Sequence, residues 1–442
     1  MKPNPRRVAF DVLREVTKDG AYANLALAKR LGTAGLDARD AAFVTELVAG
    51  TCRLLGTYDA IIESASGRRL SKLQPAVIDL LRLGAHQGLS MNIPRHATVG
   101  TTVDLARQTV GQRVTGLINA VLRKMVAKTL GEWTSQLSDG LPELQATAIK
   151  GHHPAWIAEV FSRLLPEGEL LPALEANNVA PVPTLVVRPG LADRDELVEA
   201  GGVATQFSPW GASFDGPPGT VPAVRQRRAG VQDEGSQLVA WALATAPAPP
   251  GPWLDLCAGP GGKAALLTGL ARQQGAHLVA NEISPHRAEL VSKALAGYPA
   301  GSATVVCSDG TGPEQLQNLG PFSRIMVDAP CTGLGALRRR PEARWRRTPA
   351  DLEELVALQR RLLANAIRLA APGGVVAYVT CSPHPAETRE VVQDILNQEA
   401  DVEPLHAADF LPAQLGAADG DFVQLWPHRH GTDAMFLSLL RV

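Results

Sequence analysis

Five short apolar runs, at residues 253–256, 277–280, 303–306, 324–327 and 375–379, are separated by stretches long enough to hold helices. Runs of four or five residues bounded by Gly and Pro read as buried strands. Strands alternating with helices point to a doubly wound parallel sheet. In such a sheet the loops that carry chemistry gather beyond the carboxyl ends of the strands. Two of the runs end at thiols: residues 324–327 lead into Asp328-Ala-Pro-Cys-Thr-Gly333, and residues 375–379 into Thr380-Cys-Ser-Pro383. Cys331 and Cys381, fifty positions apart, are therefore expected to face one crevice. The first run leads into Cys257-Ala-Gly-Pro-Gly-Gly-Lys263, a glycine loop that lets backbone approach a ligand while the following helix presents unpaired N–H groups.

The rest of the chain has a different texture. Between residues 5 and 128 apolar side chains recur at helical spacing (Val8, Val12, Leu13, Val16; Phe43, Val44, Leu47, Val48; Leu117, Ile118, Val121, Leu122, Met125), with Gly32, Gly35, Gly67, Gly88 and Pro94 at the breaks. This predicts an all-α bundle. Residues 152–229 are Pro-rich and mixed, with a strand at 184–187 and a helix at 193–200, which predicts a small α+β module. The segment 245–252 holds four prolines and can only be a connector. The expected domains are 1–135, 150–230 and 231–442, and 45% hydrophobic residues supply a core for each.

Composition narrows the chemistry. Five cysteines with no C-x-x-C argue against a disulfide framework or a zinc site and for free thiols in a reducing compartment. His152-His153 and His428-Arg-His430 lack companion ligands at metal spacing, so no metal is expected. The basic start, residues 1–7, has no apolar core of a signal peptide, and no run of about 18 apolar residues follows, so a soluble, cytoplasmic, non-membrane protein is expected. Net charge is only −1, so any nucleic-acid surface must be a local patch. The run Arg338-Arg-Arg-Pro-Glu-Ala-Arg-Trp-Arg-Arg347, just after Cys331, is the strongest candidate. Arg338, Arg339, Arg340 and Arg344 would bind phosphates and Trp345 would stack on a base.

The glycine loop fits neither common nucleotide fingerprint. G-x-G-x-x-G is absent, and Lys263 is followed by Ala264 where a P-loop needs Ser or Thr. What remains is a loop followed one strand later by Glu282, where a ribose diol is usually held, and by Asp309 at the end of the third strand.

The glycine loop, Asp-Ala-Pro-Cys-Thr-Gly, Thr-Cys-Ser-Pro and Gly431-Thr-Asp-Ala-Met-Phe436 together resemble the Sun family of S-adenosylmethionine-dependent RNA cytosine-5 methyltransferases, over residues 231–442. The helical N-terminal segment resembles the RNA-binding fold of the antitermination factor NusB. The resemblance implies a multidomain chain: a NusB-like bundle, a small α+β, RRM-like linker domain, and a Rossmann-like methyltransferase domain. It implies Cys381 as the nucleophile that adds to cytosine C6, Cys331 as the thiol that assists release, Asp328 on the base edge, and Lys263 keeping the thiolate ionised. It also implies that Cys257, Ala258, Gly259, Pro260, Gly261, Gly262 and Lys263, with Glu282, Asp309 and Asp328, contact S-adenosylmethionine. Beyond the loop contact, Cys257 and Cys307 read as packing cysteines. Gly259 stands where the family commonly has Ala, which should add flexibility, and Glu387-Thr388 stands where it often has Glu-Asn. The partner implied is 16S ribosomal RNA before complete subunit assembly, acted on by a monomer. Rival readings are the same chemistry on transfer RNA, a DNA enzyme using Cys331 as nucleophile, and a non-catalytic RNA-binding assembly factor.

Overall fold

The computed structural model describes residues 3–312 and 314–442, so Met1 and Lys2 of the basic start lie outside the described residues. The chain forms two compact units: residues 1–180 with 337–348, and residues 181–336 with 349–442.

The first unit is all helix. Amphipathic helices such as Pro5–Asp19, Ala38–Arg53, Leu55–Ser66, Pro75–Leu89 and Thr115–Met125 turn Leu13, Leu47, Ile61, Ile62, Leu80, Ile118 and Leu122 into one core. Local signals fix their ends. Asn4 and Asp37 accept the backbone N–H groups of Arg6 and Asp40, and Gly20 and Gly67 close helices in the left-handed conformation. Helical structure was expected to stop near residue 135. It continues through Glu143–Lys150, Ala155–Ser162 and Leu170–Ala176, so residues 150–180, assigned from sequence to the α+β module, belong to the helical unit.

The Arg-rich run also belongs here, and this changes its meaning. Arg344 is fully buried, donating to the carbonyls of His152 (3.2 Å) and Asn177 (2.9 Å) and to Asn178 Oδ1 (2.6 Å). Trp345 Nε1 donates to the carbonyl of Cys52 at 3.0 Å, and its ring fills the space beside Gly56, where a Cβ would come within 2.2 Å of it. Arg346 donates to the carbonyls of Val16 and Ala21, both at 2.6 Å. Most of these acceptors lie at the carboxyl ends of helices, where carbonyls lack intrahelical partners and the helix dipole favours cations. Glu342 does the reverse, accepting from Ala23 N–H at 3.1 Å at the start of a helix. Burial, then repulsion from Arg53, lowers the Arg344 guanidinium to about 9 against the pull of Glu342. The composition of the run is that of a nucleic-acid patch, but Arg344 and Trp345 are engaged in holding helix ends and cannot serve as the phosphate and base contacts expected of them. Arg338 is also buried, Arg339 is half-buried, and Arg340 is exposed with its guanidinium over the Tyr22 ring.

The second unit begins with β1 (Thr184–Val187), helix Arg194–Glu199, β2 (Val203–Ala204), β3 (Gly211–Ser213), helix Pro222–Arg225 and β4 (Ala229–Val231), in the antiparallel order β2-β3-β1-β4. This is the β-α-β-β-α-β order of the expected RRM-like module. Alternation along β1 divides its side chains: Leu185 and Val187 pack with Leu197, Ala212 and Phe214, whereas Val186 joins the core formed with Leu238, Val239 and Leu266. Neither β1 (TLVV) nor β3 (GAS) carries an aromatic residue, so the sheet lacks the stacking platform by which such modules bind bases.

The large sheet follows. Strands β5 (Trp253–Asp255), β6 (Leu278–Asn281), β7 (Ala303–Val306), β8 (Phe322–Asp328) and β9 (Ala370–Thr380) are parallel in the order β7-β6-β5-β8-β9. All five expected strands are present. Helices Glu234–Thr245 and Gly262–Gln273 cover one face and Asp351–Leu369 and Arg389–Leu396 the other, each over its own apolar core. The sheet is not wholly parallel: β10 (Glu403–Leu405), β11 (Ala418–Asp419), β12 (Phe422–Gln424) and β13 (Phe436–Arg441) extend it antiparallel beyond β9. Three of these have two or three residues, too short for a periodic signal. No helix among the described residues is long and apolar enough to cross a membrane.

Arg344→Ala and Trp345→Ala should each destabilise the protein by about 2–5 kcal/mol, because buried carbonyls lose their donors and a packed ring is removed. Arg340→Ala, at an exposed position, should cost less than about 1 kcal/mol. Urea midpoints of the three variants check this ordering.

Candidate active site

Adjacent parallel strands bring the two thiols together. With Asp328 opposite Val379 in the β8–β9 register, the segment 329–333 and the segment 381–383 leave the sheet side by side. Cys331 Sγ and Cys381 Sγ are 3.4 Å apart and both residues are half-buried. The near-terminal Gly-Thr-Asp-Ala-Met-Phe motif supports them from behind. Gly335 N–H donates to the Cys381 carbonyl at 2.9 Å, and Ala434 N–H donates to the Gly335 carbonyl at 2.9 Å. A Cβ on Gly335 would lie 2.1 Å from the Ala434 carbonyl oxygen, so only glycine allows this approach.

Charge is arranged around the pair. Lys263 Nζ, at the start of helix Gly262–Gln273, bonds Asp328 Oδ2 at 2.9 Å. Burial works against the ammonium, but Asp328, with Cys381 and Asp255 adding, holds it above the ordinary lysine range. Asp255, the last residue of β5, is fully buried, and neither carboxylate oxygen has a hydrogen bond of good geometry. Burial first, then the charge of Asp328, raises it to about 8 despite Lys263, so it is mainly protonated at neutral pH.

The glycine loop and the acids form a second cluster. Glu282, nearly buried just past β6, accepts Gly259 N–H and Ser284 N–H, both at 3.0 Å. Arg287 donates to the Gly259 carbonyl at 2.6 Å and lies 3.4 Å from the Glu282 carboxylate. A Cβ at Gly259 would fall 2.2 Å from Glu282 Oε2 and 2.7 Å from Arg287 Nε. The glycine thus makes room for this contact, a steric role beyond the flexibility expected from sequence. Asp309 is exposed past β7, and the N–H and hydroxyl of Thr311 on its Oδ1 (2.9 and 2.8 Å) lower its pKa. Cys257 is half-buried and packs against the core beneath the loop, with burial and the surrounding acids holding its thiol well above the ordinary range. Cys307 is exposed, so the packing role expected for it does not hold.

Three residues to which the sequence assigns no role also shape the site. Asn281 is buried and its side-chain N–H donates to the carbonyls of Leu256 and Ser308, both at 3.1 Å, tying three strand ends together. Ile283, directly after Glu282, is 63% exposed and offers an apolar face beside the acid. Glu387, fully buried, accepts Thr332 N–H at 2.7 Å. An exposed Ile beside a strand-end acid is legible in principle; the other two depend on long-range contacts.

Residues 242–441 match the family model for the 16S rRNA methyltransferase RsmB/F, and residues 3–127 match that of the NusB family. A Mycobacterium tuberculosis protein named as a methyltransferase is 47% identical over 99% of this chain and 96% of its own length. The ribosomal RNA small subunit methyltransferase B of Vibrio cholerae is 32% identical over 91% of this chain and 89% of its own. The chain belongs to the RsmB/F methyltransferase family. A solved structure, PH0851, superposes with a TM-score of 0.81 at 22% identity, covering 100% of both chains, and shares the fold. The cofactor of this RsmB/F-family protein is S-adenosylmethionine. The residues present fit it. The glycine loop is exposed at Pro260 and Gly262, Glu282 lies just past the next strand, where folds of this kind commonly hold a ribose diol, and Asp255 is a buried carboxyl without a good partner.

Because Asp255 titrates higher folded than unfolded, its contribution to stability falls as pH rises from about 4 to about 8. Asp255→Asn has no proton to lose there. Its melting temperature relative to wild type should therefore climb across that window and level off above it, measured by thermal denaturation at fixed ionic strength.

Proposed function

We propose that this RsmB/F-family protein methylates C5 of a cytosine in 16S ribosomal RNA through a covalent adduct on Cys381. The observation that carries this reading is the pair of thiols 3.4 Å apart beside the Lys263–Asp328 ion pair. Cytosine C5 is a weak nucleophile. Cys381, as thiolate, forms a bond to C6, and the C5=C6 electron pair is drawn onto C5. Lys263 favours the anionic form of Cys381, and Asp328 is placed to bond the base edge. S-adenosylmethionine, when bound, supplies the electrophilic methyl group that C5 takes up. Release then requires a base to remove the C5 proton, so that the C–H pair re-forms C5=C6 and Cys381 leaves as thiolate. Cys331 is the group within reach.

Electrostatics orders the two thiols. Hydrogen bonding with Cys381, then burial, then the charges of Cys381, Glu387 and Asp328, hold the Cys331 thiol well above the ordinary cysteine range. Cys331 therefore keeps its proton while Cys381 attacks. Once Cys381 is bonded to C6 it is a neutral thioether and its anion no longer opposes ionisation of Cys331; Cys331 then gives up its own proton to water, and the resulting thiolate accepts the C5 proton.

The relatives named ribosomal RNA small subunit methyltransferase B support 16S RNA as the polymer. We place the reaction in the cytoplasm, before the subunit is complete, with the protein as a monomer. A base in a loop would be extruded at lower cost than a paired one. In this reading the cofactor is held by residues 257–263, Glu282, Asp309 and Asp328.

With labelled S-adenosylmethionine and protein-free 16S transcript, wild type should yield 5-methylcytosine, Cys381→Ala should lose at least about a thousandfold in rate, and Cys331→Ala should accumulate a denaturant-resistant RNA adduct. Label in any other nucleoside, or full activity of Cys381→Ala, would sink the proposal.

A further inference from the structure

The Cys331 segment is held from both flanks by two buried side chains to which the chemistry above assigns no part. Glu387 and Gln359 are both fully buried. Glu387 Oε1 accepts Thr332 N–H at 2.7 Å, and Oε2 accepts the Thr332 hydroxyl. Gln359 Nε2 donates to the Pro330 carbonyl at 2.8 Å and to Glu387 Oε1 at 3.1 Å. The two peptide groups that bracket Cys331 are thus bonded to one Glu–Gln pair. Its anchors lie on different elements: Gln359 is in helix Asp351–Leu369, and the Glu387 carbonyl accepts the Tyr378 hydroxyl of β9 at 2.8 Å. From the same centre the Thr332 hydroxyl reaches Ser382 Oγ at 3.1 Å, joining the Cys331 segment to the residue after Cys381. Thr388, where the family often has Asn, takes no part and bonds its own loop at His384 O, 2.9 Å away.

A buried carboxylate is costly unless it is fully hydrogen-bonded, so a feature of this kind is expensive as mere packing. What it provides here is a fixed position for a thiol on an irregular segment between two strand ends. Cys381 gets its position directly from β9 and from Gly335, whereas Cys331 lies three residues beyond β8 and depends on the brace.

We propose that Glu387 and Gln359 are positioning residues for the release step, holding Cys331 within reach of the C5 proton while Cys381 carries the base. The inference rests on the two-thiol reading. Removing the brace leaves Cys381, Lys263 and the cofactor loop in place, so adduct formation and cofactor affinity survive while release slows. A thiol displaced by about 1 Å loses on the order of a hundredfold in proton transfer.

The experiment is single-turnover methylation of 16S transcript by the full chain, with rates of adduct formation and adduct decay followed separately. S-adenosylmethionine affinity is measured in parallel, and Cys331→Ala serves as the reference. Glu387→Ala and Gln359→Leu should form adduct within about threefold of wild type and resolve it about ten- to a hundredfold more slowly. Glu387→Gln keeps an acceptor for Thr332 N–H and should recover most of the release rate. Should Glu387→Ala fail to fold, Thr332→Val removes only the hydroxyl contacts and should give the same defect in milder form. Equal slowing of formation and decay, loss of cofactor affinity, or unchanged decay in these variants overturns the inference while leaving the two-thiol reading intact. Absence of adduct with Cys331→Ala itself overturns both.

Discussion

The parallel pairing of β8 with β9, in the register that sets Asp328 opposite Val379, is the constraint on which the site depends. It converts a separation of fifty residues into a distance of 3.4 Å between two sulfur atoms. A shift by one residue would turn buried Met326 and Val327 to the wrong faces, which two apolar cores forbid. Burial of the strands is therefore also what holds the chemistry in place, and β13, packed antiparallel on β9, brings Ala434 to buttress the segment behind the thiols.

Around that scaffold the charges are interdependent. Lys263 is shared between Asp328 and the vicinity of Cys381, while Asp255 stays mainly protonated at neutral pH, first because it is buried and then because of the charge of Asp328. Two thiols at hydrogen-bond distance cannot both ionise, and the one beside Glu387 retains its proton. In the proposed reaction the steps would follow one another without any moving part, because the first covalent bond would remove the charge that restrains the second group.

Much of the fold was legible because it rests on local signals. The helical bundle followed from apolar spacing and glycine breaks, and the parallel sheet from apolar runs ending in Gly, Pro and Cys. The module at 184–231 was recognisable as α+β, although β2, at Val203–Ala204, is too short to be seen in sequence. The limits are also local: the helices at 155–176 fall within the stretch expected to be the α+β module, because Pro154 and Pro166 give it a loop-rich texture. The clearest departure from expectation is at Arg344 and Trp345 within the run 338–347. Six arginines and a tryptophan have the composition of an RNA contact, and composition alone cannot tell a solvated arginine from one donating to the carbonyls of buried helix ends.

The sequence by itself determined the order of elements, the residue types at the strand ends and the family to which they belong, because strand runs, glycine loops and strand-end thiols are written in consecutive residues. Only the tertiary structure decided which charges face which, what Glu387, Gln359 and Asn281 hold, and that Arg344 and Trp345 serve the helical unit. Those outcomes depend on hydrogen bonds between residues far apart in the chain, and no pattern along one segment encodes the partner that arrives from another.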